Sequence, residues 1–460
     1  MLKIAFIGAG SLVFGQNLLT DLTTFPALKE DTLVCLEDID PTRLDLMHNY
    51  IKVYKEKFPQ ELNGITFEKT TNQKKAVEDA KYVINTVHLG GLEAFKLDVE
   101  IPFKYGVTQT VGDTLGPGGI FRFLRTTSFF KSLLEDIQNV GYNVGNDGEK
   151  PMLMNYTNPM AMNTWFCNSI VPDSTVGLCH GIQETSAFLS SLIGANIKDI
   201  NYFCAGINHM AWFLQFWYKN PNDPNSPWQN AYPLIHEAFD KLPDKSKDLR
   251  GIRWDMMKAT GYFMTESDGH LSEYLPYYRK RADLLIKFRS DKHWLTNLEQ
   301  ASDYNQQVFF QEKLEKIFQR ALKSNKSRYK DRPTTEYASH IINAMETNYP
   351  FRFNGNVLNK EGGLITNLPK GSCVEVPVFA DSHGLHPQGG ITLPTICQAL
   401  CMSNIMVQKA AVEGALALDR EKIYHAVLLD PNTASVCSPQ EIRDMVDDMF
   451  VAEAKWLPKF

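Results

Sequence analysis

The run Leu2-Lys3-Ile4-Ala5-Phe6-Ile7-Gly8-Ala9-Gly10-Ser11 constrains this chain more than any other stretch. An apolar strand pattern runs straight into Gly-x-Gly and then into a helical pattern. Glycines at that junction allow a tight turn and let backbone N–H groups at the helix N-terminus face a pyrophosphate. Val13 stands where the third glycine of Gly-x-Gly-x-x-Gly belongs, so the turn alone is a weak indication. Glu37-Asp38-Ile39-Asp40, closing the second strand, strengthens it. An acid there accepts a hydrogen bond from a ribose 2′-OH, which favours NAD over NADP, and Asp38 is the better placed. Arg43 is able to admit a 2′-phosphate and leaves that preference open. The candidate dinucleotide residues are Gly8, Gly10, Ser11, Asp38, Arg43 and Thr86.

The pattern then alternates. Thr32–Leu36, Ile65–Glu68 and Tyr82–Val87 read as strands, with helices from Leu18 to Phe25, Pro41 to about Lys57, and Gln73 to Ala80. Such a βαβαβ order predicts an open parallel sheet covered by helices on both faces. A long helix Ile120–Val140, a strand Met152–Tyr156 ending in Thr157-Asn158-Pro159, a strand Val176–Leu178 and a helix through Leu192 extend it. Beyond about residue 200 the character changes. Short strands (Tyr202–Ala205, Ala211–Tyr218) precede a polar loop, Asn220–Pro227, and amphipathic helices run to about Met345. Asn356-Val357-Leu358 and Cys373–Val376 are further strands, and helices follow from Thr392. The expected fold class is α/β: a Rossmann-like doubly wound sheet in residues 1–200, joined to a mixed α+β, mainly helical domain in residues 201–460.

Composition narrows the function. The 27 Phe, 18 Tyr and 7 Trp supply ample surface to bury, which argues against disorder. A net charge of −6, without a run of basic residues, gives no reason to expect nucleic acid. No window of about 18 uncharged apolar residues appears, so no membrane span is expected. The eight cysteines (35, 167, 179, 204, 373, 397, 401, 437) form no CxxC pair. With an N-terminus lacking signal-peptide anatomy, they indicate reduced thiols and a cytoplasmic location, any special cysteine being a ligand or nucleophile.

Cys179-His180-Gly181 and Asn208-His209-Met210 both follow strand patterns. Ligands of open α/β sheets gather beyond the carboxyl ends of strands, so Cys179 and His209 are candidate metal donors beside a nicotinamide. Taken alone, a strand-end cysteine is more often a small core residue, and a lone histidine a hydrogen-bonded polar side chain.

The residues also carry a resemblance. Ile7–Ser11, Glu37–Leu44, Asp113–Ile120, Asn155–Thr164, Gly177–His180, Ala205–Ala211, Tyr262–Ser267, Leu364–Pro369 and Leu429–Ala434 follow, in order, stretches of family 4 glycoside hydrolases. The chain resembles these NAD- and metal-dependent glycosidases along nearly its whole length, and among them most closely the bacterial α-galactosidases. The resemblance implies a chemistry outside the two-carboxylate rule for glycosidases. NAD⁺ takes hydride from sugar C3, the ketone acidifies C2–H, a base removes that proton and the C1–O bond is eliminated. Water then adds and the hydride returns, while Mn²⁺ or another divalent metal stabilises enediolate charge.

Carried across, the resemblance makes Cys179 and His209 the metal ligands and sets Asn158 and Asp113 toward sugar hydroxyls. His180 takes the position of an acid assisting the leaving group, or else steers Cys179. The base falls within Gly261–Tyr278, where Tyr262, Asp268 and His270 all qualify. Phe95 occupies the place of an arginine that binds the phosphate of 6-phosphosugars, which points to unphosphorylated α-galactosides. Gly181 departs from the usual α-galactosidase serine and keeps α-glucuronides, α-galacturonides and α-glucosides as alternatives. The family also implies a homodimer or homotetramer. A lactate/malate-type dehydrogenase shares the N-terminal fold. Against it stand the Cys179/His209 pair and the lack of a substrate-carboxylate arginine followed by a His-Asp pair.

Overall fold

In a computed structural model, residues 1–11, 14–144, 150–220, 225–242, 251–288, 332–360 and 363–460 are described, with isolated positions between them. Val13 lies outside the described residues, as do parts of the Asn220–Pro227 loop and most of the helical stretch expected between 289 and 331. The strands are β1 (Leu2–Ile7), β2 (Thr32–Glu37), β3 (Ile65–Thr70), β4 (Tyr82–Asn85), β5 (Met152–Asn155), β6 (Thr175–Gly177), β7 (Ile200–Ile207), β8 (Met210–Tyr218), β9 (Gln229–Asn230), β10 (Phe263–Met264), β11 (Phe351–Leu358), β12 (Cys373–Asp381) and β13 (Gly384–Pro387).

The first six strands are parallel and lie in the order β3-β2-β1-β4-β5-β6, the arrangement of a doubly wound dinucleotide fold. β1, β2 and β4 are buried on both faces, as continuous apolar runs between helical layers require. The sheet does not stop at residue 200. β11 pairs antiparallel with β6 through Asn356 and Gly177, β12 pairs with β11 and β7, and β8 and β10 follow. One sheet of 13 strands, counted among the described residues, thus runs through both halves of the chain.

Two helices depart from the sequence pattern for identifiable reasons. The helix Gly91–Lys104 has no counterpart in the periodic reading, because Gly90-Gly91 and Pro102 look like breakers. Gly90-Gly91 lies at its N-terminal end, and Pro102 falls inside its last turn, two residues before the helix stops at Lys104. The long helix begins at Gly116 rather than Ile120, with Pro117 in its first turn. A β-carbon on Gly119 would stand 2.6 Å from the Thr114 carbonyl carbon, so the glycines let this helix start against the Asp113-Thr114 loop. The helix Thr395–Ala417 packs against Met160–Ile170, joining the C-terminal half to the helices of the first half. No helix among the described residues is long and apolar enough to cross a membrane.

Candidate active site

The glycine turn is built as its sequence suggests, with one substitution of parts. Gly8 has φ 78°, and Gly8 and Ala9 donate to the Glu37 carbonyl at 3.0 and 2.8 Å. Asp38 Oδ2 accepts the Gly10 amide at 2.9 Å and Oδ1 accepts that of Asp40 at 2.8 Å, tying the end of β2 to the turn. The Thr86 hydroxyl donates to the Gly8 carbonyl at 3.0 Å, and Ser11 donates its amide to the same oxygen. Arg43 lies on the helix Pro41–Lys57, half-exposed, 3.7 Å from Asp40. The close packing that a third glycine provides falls to Gly15, two positions beyond Val13. A β-carbon there would meet Ala9 O at 3.0 Å and Met47 Cε at 2.9 Å. These residues fit a dinucleotide: the turn is made of glycine and alanine and leads to a helix N-terminus beside an acid.

A second cluster forms at the ends of β6, β7 and β10. Cys179 lies just beyond β6. His209 occupies the two-residue turn between β7 and β8, at φ 61°. Glu266, at φ 78°, follows β10, where Thr265 exchanges hydrogen bonds with Ala211. One donor atom from each of Cys179, His209 and Glu266 falls within 4.8 Å of the others. Left-handed backbone at two non-glycine residues of one cluster is strain of the kind that gathers at functional sites.

The surroundings prepare these groups for a cation. Burial lowers the His209 pKa to about 4, so its ring is neutral. Its Nδ1 lies 3.2 Å from Thr114 Oγ1 and 3.1 Å from the Tyr274 hydroxyl, which turns Nε2 toward Glu266, 3.5 Å away. Burial, reinforced by Glu266 and Glu375, pushes the Cys179 thiol well up. A cation held here would offset the two carboxylates and favour the thiolate. This donor set fits a borderline divalent ion.

The expected sugar-facing residues adjoin it. Asn158 Nδ2 donates to Asp113 Oδ2 at 2.8 Å, Thr114 donates to Oδ1 at 2.8 Å, and Arg122 donates to the Asn158 carbonyl at 3.2 Å. Burial raises the Asp113 pKa, but His270 and Arg122 outweigh it and hold the carboxyl well below its usual range. His270 stands between Asp113 (Nε2 to Oδ1, 3.4 Å) and Glu266 (Nδ1 to Oε1, 3.5 Å). Burial lowers its pKa, yet the two anions raise it to about 9.

The other expected residues are placed differently. Asp268 points away, into an ion pair with Arg253 at 3.1 Å, because the helix Asp268–Tyr274 buries that carboxylate against the helix Gly251–Thr260. Tyr262 sits in the turn before β10, its amide on Thr260 Oγ1 and its side chain against the core. The phenol that reaches His209 is Tyr274, one turn beyond His270. His180 caps the helix Gly181–Leu192, 3.7 Å from both Glu184 and Glu336. Glu266, Tyr274 and Arg122 are functional candidates that the sequence reading passed over. Glu266 lies inside a stretch, Tyr262–Ser267, already singled out by its resemblance, and that was its only signal.

Residues 3–195 match "Family 4 glycosyl hydrolase" and residues 204–433 match "Family 4 glycosyl hydrolase C-terminal domain". The chain is 37% identical to an α-galactosidase of Rhizobium meliloti, over all of this chain and 89% of that one. It is 36% identical to an α-galactosidase of Bacillus subtilis, over the full length of both. A 6-phospho-α-glucosidase from gut microorganisms, solved with NAD and Mn²⁺, shares the fold at a TM-score of 0.79 and 18% identity, covering 100% of this chain and 99% of its own. The chain belongs to family 4 of the glycosyl hydrolases.

Proposed function

We propose that this family 4 enzyme hydrolyses unphosphorylated α-galactosides, with NAD⁺ in the glycine turn and a divalent metal, Mn²⁺ foremost, on Cys179 and His209. The observation that carries the sugar assignment is the full-length identity to two α-galactosidases. Phe95 supports the absence of a phosphate: it is buried at 4% exposure, and the next turn of its helix engages Arg125 through Asp98. When bound, the dinucleotide supplies a reversible hydride acceptor and the ion a Lewis acid.

The chain's own groups orient and move protons. Asn158 and Asp113 hold sugar hydroxyls, and Thr114 with Tyr274 fixes the His209 ring. Of Tyr262, Asp268 and His270, only His270 reaches the cluster, and we assign the C2 proton to its Nε2. His180 stays assigned to the leaving group.

The test is hydrolysis of nitrophenyl α-galactoside, with NAD⁺, Mn²⁺ and reductant omitted in turn. All three are required if the assignment holds. Full activity in EDTA after removal of the dinucleotide would rule it out. A panel with α-glucoside, α-galacturonide and 6-phosphorylated substrates identifies the sugar, and deuterium at C2 of product formed in D₂O reports the C2 proton transfer.

A further inference from the structure

We infer that Glu266 is a third protein ligand to the divalent ion, and that residue 181 is glycine so that the Glu266 carboxylate has room to reach it. This rests on the proposed role of Cys179 and His209 as metal donors. The donor atoms of Cys179, His209 and Glu266 converge within 4.8 Å, and Glu266 Oε2 stands 3.5 Å from His209 Nε2. A β-carbon at position 181 would lie 2.5 Å from that same Oε2 and 3.6 Å from Cys179 Sγ. Nothing in the backbone calls for glycine here. Gly181 opens the helix Gly181–Leu192 and is not among the residues with positive φ. Alanine is the better helix former, so what glycine contributes is the missing side chain. The carboxylate occupies that space.

The φ of 78° at Glu266 fits the same account. An ordinary extended residue after β10 would point its side chain elsewhere, and the strained turn brings the carboxylate to Cys179. A plainer role, pairing with His209 and His270 alone, needs the charge but does not need the room beside Cys179. Three protein donors of mixed sulfur, nitrogen and oxygen character hold a borderline ion and still leave positions for sugar oxygens. The ion therefore stays on the protein when neither sugar nor dinucleotide is present.

The measurement is Mn²⁺ affinity by electron paramagnetic resonance, without NAD⁺ or sugar, for the full chain and its variants. Losing a direct ligand costs at least what losing an outer partner does, so Glu266→Gln should weaken Mn²⁺ binding about tenfold or more. Gly181→Ala should weaken it similarly while its melting temperature is kept or raised. The double variant should be no weaker than Glu266→Gln, because both changes remove one interaction. Unchanged affinity in Glu266→Gln and Gly181→Ala, with binding lost in Cys179→Ser, would overturn the inference and leave the two-donor site standing. Wild-type affinity in Cys179→Ser and His209→Gln would instead overturn the metal site itself.

Discussion

His270 Nε2 lies 3.4 Å from Asp113 Oδ1, whose other oxygen takes the Asn158 amide at 2.8 Å. The carboxylate thus joins the proposed proton-transfer group to a proposed sugar contact, across elements far apart in sequence. With Glu266 it also holds the His270 pKa at about 9 against the effect of burial. A base must be deprotonated to work, so in this arrangement turnover rises with pH and falls away below about 9. Asp113→Asn removes one of the two anions, and His270 should titrate lower. The expected result is a kcat/KM at least ~100-fold down, about 2.7 kcal/mol, with its rising limb shifted to lower pH. A limb unmoved by the substitution would detach His270 from the titration.

Cys179 should report metal binding through protons. Burial, with the Glu266 charge beside it, keeps its thiol protonated at neutral pH, whereas His209, near 4, is already neutral. Glu266 is held below its usual range, against burial, by His209 and His270 and has no proton to give. Loading Mn²⁺ at pH 7 should therefore release about one proton per ion, from sulfur. Calorimetric titration in two buffers of different ionisation enthalpy counts it. Release of none would return Cys179 to the role of a core thiol.

The first half of the fold was legible because its signals are local. Apolar runs such as Tyr82–Ile84, a glycine turn and a strand-end acid each sit within a few residues. The site was legible only where a donor immediately follows a strand, as Cys179 and His209 do. Glu266 follows a two-residue strand, and only its pairing through Met264 and Trp212 brings it near Cys179. Asp268 looked available for the same reason that Tyr274 was missed. The partners that decide between them, Arg253 and His209, are separated from them by 15 and 65 residues. Gly15 shows the opposite case: close packing fixed where a glycine was needed, and the spacing rule was off by two positions.

The chain's C-terminal end is anchored to the first half by a buried cluster, and its charge state predicts which substitutions matter. Arg125 binds Asp98 through two hydrogen bonds of 2.8 and 2.7 Å and also pairs with Glu453, all three side chains being fully enclosed. Burial and the Asp98 charge raise the Glu453 pKa to about 9, so Glu453 enters the cluster as a neutral acid at pH 7. Glu453→Gln keeps that neutral partner and should cost less than about 1 kcal/mol. Arg125→Met strands the Asp98 carboxylate and should cost about 3–5 kcal/mol. Urea unfolding of both variants separates the two. Equal losses would mean that Glu453 is ionised in the folded chain.

Glu375 lies on β12, 2% exposed, behind the proposed metal donors. Burial raises its pKa to about 8, with Asn356 opposing and Glu266 adding to the shift. In the unfolded chain a glutamate titrates near ~4.3. Below that value both states are protonated and the carboxyl costs nothing. As pH climbs toward 8 the unfolded state ionises while the folded state keeps its proton, so stability is lost by up to about 1.4 kcal/mol per pH unit. Above 8 the loss levels off. Glu375→Gln abolishes this dependence without changing the shape of the side chain. In metal-free protein, the variant's advantage in melting temperature over the wild type should therefore grow from pH 5 to pH 8. An advantage that is constant across that range would mean the folded protein ionises Glu375 as readily as water does. A carboxyl buried on β12 near Cys373 of the same strand and Cys204 of β7 gives no physical reason to expect that.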